Sequence, residues 1–287
     1  VGHSGTIAEQ EVALIMDVYV GFDSAWTDNE KAPGAICAVR IDGDQAVSWH
    51  APDLVSFDQA LVFIQEVGSL TGVTLVALDQ PTIVANPTGS RPVERAAATL
   101  VSWIGGGVQP SNQGRVGMFC ANAPVWPFLK SLGAIEDPEA ARAAQFGLYL
   151  IEVFPAAALP SIAAESFGRM KGMKYNPQRK TFRMDDWGKV TDACAREAEA
   201  FQCGEIAAWC RKASLLPKPK KADQDRLDAV ICLLVALRWR LGPRRSSVML
   251  GDLSTGYMVL PASEEVRIKL EAAGQRLQFP VDGCIPG

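Results

Sequence analysis

Short apolar runs of β-type residues recur through the first half of the chain, and each one stops at an acid or a turn signal. Residues 18–23, 34–41 and 45–51 follow one another closely, and Asp42-Gly43 between the last two is a strong hairpin turn. The period then changes. Over 56–70, Ala60, Leu61, Ile64 and Val67 recur at helical spacing behind a Ser56 cap. Residues 74–79 read as a buried strand, and a loop rich in Pro and Gly follows from Gln80 to Pro92. Helices are predicted over 91–103, with Pro92 tolerated in the first turn, and over 124–132 and 138–147. A last buried strand covers 147–153. From Asp225-Arg-Leu-Asp228 onward, Ala-Val-Ile-Cys-Leu-Leu-Val-Ala is apolar nearly all round, the mark of a helix with no solvent face.

The order β-β-β-α-β-α-β-α implies three antiparallel strands joined to parallel ones by helical crossovers. The expected fold is α/β: a mixed five-stranded sheet flanked by helices, the ribonuclease H-like architecture. One domain is expected over 16–287, beginning at Met16, with 1–15 as an N-terminal extension. Residues 155–219 are charged, lack β-type runs and read as a helical insertion or cap. Between Arg169 and Lys221, Lys and Arg number 13 and Asp and Glu 6, an excess of +7 in a chain of net charge −4. That asymmetry suits either a polyanion-binding edge or a solvated helical surface.

The carboxylates carry the chemistry. Asp23, Asp79 and Glu152 each end a strand-like run, and Asp225 and Asp228 sit three apart at the start of the apolar helix, on one helical face. Desolvating an ionised acid costs several kcal/mol unless something pairs it. Acids brought together by converging strand ends repel one another, and a divalent cation is the natural compensation. Only two histidines occur, His3 and His50, so the ligands would be oxygens, which suits Mg²⁺ or Mn²⁺. Seven cysteines without CxxC spacing argue against a disulfide framework or a zinc site and fit a reducing cytoplasm. No apolar run reaches the length of a membrane span. The acidic pI of about 5.4 counts against a non-specific nucleic-acid coat.

Several pieces in order resemble the DUF429 family: Gly21-Phe-Asp23-Ser-Ala25, Leu78-Asp79-Gln-Pro81 with Gly89-Ser-Arg91-Pro92, Glu152-Val-Phe-Pro155, Asp225-Arg-Leu-Asp228-Ala229 and Gly256-Tyr-Met-Val-Leu-Pro261. The resemblance implies a ribonuclease H-like nuclease related in fold to RuvC-type resolvases. It implies an acidic site in which Asp23 is the first-strand aspartate, Asp79 the acid after the fourth strand and Asp225/Asp228 the helical pair. Glu152 belongs to the family's Glu-x-x-Pro motif.

Catalytic work is therefore expected of Asp23, Asp79, Asp225 and Asp228, with Glu152 joining them as a metal ligand. Each has a plainer reading as a turn residue, a loop cap or a helix-dipole acid. Arg91 is expected to grip a phosphate, against a surface ion pair with Glu94. Lys171, Lys174 and Lys221 are expected to bind nucleic acid, against solvated positions. A metal-dependent phosphodiesterase leads. The alternatives are a non-catalytic nucleic-acid- or protein-binding member of the fold and an actin/hexokinase-type phosphotransferase, whose glycine-rich phosphate loops the chain lacks. Oligomeric state, homodimer included, stays open.

Overall fold

In the computed structural model, residues 16–285 are described; the N-terminal extension expected over 1–15 lies outside them. Strands β1 (Met16–Asp23), β2 (Gly34–Asp42) and β3 (Gln45–Val55) pair antiparallel, and β4 (Val73–Asp79) and β5 (Gly147–Glu152) continue the sheet in parallel. The order is β3-β2-β1-β4-β5. Asp42 faces Gln45 across the hairpin, with Gly43 at φ +56°, a conformation that costs glycine nothing.

Helices cover both faces. Residues of one parity (Val18, Val20, Phe22, Val76, Leu78) pack on α1 (Phe57–Val67) and α3 (Val125–Leu132). The expected cap is present: Ser56 accepts from Gln59 N, and the Gln59 side chain returns the bond. Residues of the other parity, including Tyr19, Leu75 and Ala77, face α8 (Lys221–Leu241), whose all-round apolar surface is explained by burial on every side. The sheet and its layering are those of the ribonuclease H-like fold.

Residues 155–219 do not form a separate projection. Helix α5 (Pro155–Ile162) enters the core directly, and α6 (Met184–Ala200) and α7 (Gly204–Ser214) bury Trp187, Cys194, Ile206 and Cys210 in the same cluster as the sheet and α8. Between α5 and α6, residues 167–183 are irregular rather than helical. Helix α2 (Pro92–Val101), α4 (Pro138–Ala143) and α9 (Glu264–Leu277) complete the helices, and β6 (Ser247–Asp252) and β7 (Gly256–Pro261) form a hairpin not included in the five-strand expectation. That hairpin builds a third small core with α2 and α9, and Val259 bridges Val153 just past β5. Among the described residues, no helix is long and apolar enough to cross a membrane.

The tightest helix–sheet contact is at Gly21. A Cβ there would stand 2.0 Å from the Ala229 carbonyl oxygen and 2.8 Å from Leu233 Cβ. Gly21→Ala therefore forces α8 away from β1, and a loss of about 3 kcal/mol in unfolding free energy is expected from urea denaturation, typical of overpacking against a rigid backbone.

Candidate active site

Asp23 and Asp79 are register partners at the C-terminal ends of the adjacent parallel strands β1 and β4. Strand alternation places Asp23 with Tyr19 and Gly21, and Asp79 with Leu75 and Ala77, on the face that α8 covers. Helix α8 brings Asp225 and Asp228 to the same place from its first two turns. Asp23, Asp225 and Asp228 are 9%, 9% and 6% exposed, and Asp79 is partly open. The Asp23 and Asp79 carboxyls are within hydrogen-bonding reach of each other.

The two acids of α8 are held by specific partners. Asp228 accepts from the Tyr175 hydroxyl at 2.7 Å and from Gln224 Nε2 at 2.6 Å. Asp225 is paired with the Lys221 ammonium, one helical turn earlier. Burial pushes the Asp23 carboxyl well above its ordinary pKa, and the charges of Asp228 and Asp79 push it further. Asp79 is raised in the same way, by burial, Asp228 and Glu152. Burial lifts Asp228 to about 6, although Tyr175, Lys221 and Gln224 pull it down. Burial opposes the charge on Lys221, but Asp225, Asp23 and Asp228 outweigh it and keep the ammonium protonated. The cluster carries more negative charge than Lys221 offsets.

Glu152 stands apart from this group. Its parity is that of Leu148 and Leu150, which pack on the opposite face, so strand alternation turns it away from α8. Both its oxygens are engaged: Oε1 accepts from Arg91 Nη2 at 2.6 Å, and Oε2 accepts from Arg91 Nη1 at 2.9 Å and from Thr82 N at 3.0 Å. Arg91 is 0% exposed and also bonds Glu94 Oε1 at 2.9 Å. Glu94 is buried too, so the pair expected on the surface lies inside the protein. The two carboxylates hold Arg91 in its charged form against the cost of burial. Arg91 is thus a structural clamp between α2 and β5, with its guanidinium committed to protein groups.

The lysines divide. Lys221 belongs to the acid cluster itself. Lys174 donates from Nζ to the Gly105 carbonyl at 2.6 Å. Lys171 is exposed, as are Arg179 and Lys180, on the irregular segment that carries Tyr175 inward. Tyr175 and Gln224 were not anticipated. Gln224 lies four residues before Asp228, a spacing that signals the contact. Tyr175 lies in a segment with no periodicity, 53 residues from its partner.

A cleft of about 400 Å³ opens from the acids, lined by Asp79, Asp228, Trp26, Met118 and Phe154 among others. Trp26 holds φ +53°, a conformation that costs an aromatic residue about 1–3 kcal/mol. Its indole N–H donates to the Asp79 carbonyl at 3.1 Å, and its ring packs edge-on against Phe119.

The donor set fits a hard divalent cation in chemistry and charge: oxygen ligands, buried, with unbalanced negative charge. The ligands are not preassembled. Among the described residues, no group of three or more His, Cys, Asp or Glu side chains forms a ready metal-binding cluster.

Residues 21–249 match the DUF429 family, described as proteins of unknown function, and the chain belongs to that family. No curated protein and no solved structure matches it.

Two measurements follow from the electrostatics. Between pH 3.8 and about 6 the folded protein holds more protons on Asp228 than the unfolded chain does. Stability from this group is therefore full below that window and declines through it, by on the order of 3 kcal/mol for a shift of this size. Melting temperatures in EDTA should fall as pH rises across the window. Asp79→Asn, which removes a repelling charge, should flatten the fall and melt higher than wild type at neutral pH. In contrast, Arg91→Met strands two buried carboxylates and should cost about 3–5 kcal/mol by urea unfolding.

Proposed function

We propose that this DUF429 protein is a divalent-metal-dependent nuclease that hydrolyses nucleic-acid phosphodiesters in the cleft between the sheet end and α8. The observation that supports it most is the convergence of Asp23, Asp79 and Asp228, acids from three elements of which two are buried and one is partly exposed, beside an open cleft with their charge only partly offset by Lys221. A cluster of this kind lowers stability unless a ligand compensates its charge.

Asp23, Asp79 and Asp228 would hold the cation, with Asp225 beside them. A bound Mg²⁺ or Mn²⁺ supplies an acidified water and neutralises the phosphate charge. The chain's own part is positional. Tyr175 and Gln224 fix the carboxylate plane of Asp228. Lys221 is protonated and partly exposed, the charge and access a phosphate oxygen requires. Lys171, Arg179 and Lys180 are exposed on the segment bearing Tyr175 and give a polyanion an attractive approach. Glu152 and Arg91 line the same cleft and, in this reading, hold its wall in place, each satisfied by the other.

A second reading, a non-catalytic nucleic-acid- or protein-binding member of the fold, draws on the Lys221–Asp225 pair and the Tyr175–Asp228 bond. Those contacts already occupy two of the acids.

Purified protein with Mg²⁺ or Mn²⁺ is expected to cleave at least one of RNA, DNA, hybrid or branched substrates. Asp23→Asn should reduce cleavage about a hundredfold or more while melting in EDTA no lower than wild type. Wild-type inactivity on all four substrates with both metals would favour the binding protein. Full activity of Asp23→Asn would mean the wrong carboxylates.

A further inference from the structure

The cleft beside the acids has a lining that the acids do not explain. Its apolar part includes Trp26, Val108, Met118 and Phe154. Two polar side chains that line it carry atoms with no hydrogen-bond partner among the described residues, Gln224 Oε1 and Ser111 Oγ. Gln224 is 8% exposed and Ser111 0%. Buried polar atoms left unpaired are costly, and in native proteins they mark a role. Gln224 cannot turn to relieve its oxygen, because its Nε2 is bonded to Asp228. The backbone of Ser111 is fixed on both sides, its N–H on Glu94 and its carbonyl under Asn86 Nδ2. An acceptor and a hydroxyl are therefore held rigidly in the wall of a cleft whose remaining lining combines these apolar side chains with charged ones, Asp79, Asp228 and the paired Arg91, Glu94 and Glu152.

Its chemistry selects a ligand. The surrounding charge is negative, so the part of the ligand that enters is neutral. The volume of about 400 Å³ lies near the small end of the range for small-molecule sites, about 300–1,000 Å³, too little for a stacked duplex. Apolar walls with an aromatic ring suit a flat π-system, and the two free polar atoms suit a hydrogen-bonding edge. Gln224 ties that edge to Asp228, so a ligand bonded to Gln224 has its remaining atoms next to the acids.

We propose that this cleft receives one unpaired nucleobase, so that the substrate is a single-stranded or flipped-out nucleotide whose phosphate lies at the acids. The placement of the phosphate rests on the nuclease reading; the base site does not. Gln224 Oε1 accepts from an amino or ring N–H of the base, Ser111 Oγ bonds a second edge atom, and the base face lies against the apolar lining. A paired base cannot enter without leaving its stack, which favours loops, mismatches and strand ends.

Metal-free protein should be titrated with adenosine, guanosine, cytidine and uridine, with ribose as the control, by calorimetry or ligand-observed NMR. At least one nucleoside should bind and ribose should not. Val108→Trp, which fills the cleft, should weaken binding about tenfold or more, and Ser111→Ala, which removes an unpaired hydroxyl and nothing else, about fivefold. Circular dichroism and melting in EDTA confirm that the variants fold. If Val108→Trp misfolds, Ser111→Ala decides alone. No nucleoside binding by wild type, or equal binding by wild type and the folded variants, overturns the base site. In a second arm, a strand carrying one abasic position should resist cleavage there with Mn²⁺. Nucleoside binding without any cleavage would refute the nuclease and leave the base site standing. Equal cleavage of natural and abasic positions, with no nucleoside binding, would refute the base site and leave the nuclease.

Discussion

At Gly21 the backbone of β1 meets the backbone of α8 with no room for a side chain between them. That contact sets how far the first turns of α8 lie from the ends of β1 and β4, and so how close Asp225 and Asp228 come to Asp23 and Asp79. Helices normally approach a sheet with a layer of side chains between them. Here the approach is closer, and the acids of α8 are brought near those of β1 and β4. Tyr175, Gln224 and Lys221 can be understood as responses to that constraint. Two hydrogen-bond donors and one ammonium take up part of the charge that the packing has concentrated.

The same accounting explains why Arg91 sits where it does. Asp23, Asp79, Asp225, Asp228, Glu94 and Glu152 surround one region, offset by Arg91 and Lys221. Glu152 already pushes Asp79 upward, and without Arg91 that charge would have no guanidinium to offset it. The buried guanidinium offsets Glu94 and Glu152, whereas Asp23, Asp79 and Asp228 have only Lys221.

Much of this was legible in the sequence. A strand that ends in an acid, as at Asp23 and Asp79, announces an unusual burial, and an i, i+3 pair leading an all-apolar helix announces which face meets the sheet. The five-strand order followed from the periods of the runs and the Asp42-Gly43 turn. Glu152 shows the limit: it too ends a strand, but one residue of parity turns it to the other face. That register was open to counting against Leu148 and Leu150. The Arg91–Glu94 spacing was visible, whereas its burial was not, because the loop from Gly105 to Ser111 folds over it without any local pattern. Tyr175 was beyond reach for the same reason. Residues 167–183 have neither helical nor strand period, and what they touch is decided by α6 and α8 around them.

The acids come from opposite ends of the chain, Asp23 from the first strand and Asp228 from the last long helix. Only a stretch that runs from β1 through the first turns of α8 contains the whole cluster. During synthesis the sheet can begin to pair while α8 is still absent, and at that stage Asp23 and Asp79 have no third partner. The cleft comes into existence only when the long-range contact between β1 and α8 closes, a step of high sequence separation and correspondingly slow. A chain caught short of that step holds no assembled cluster of acids.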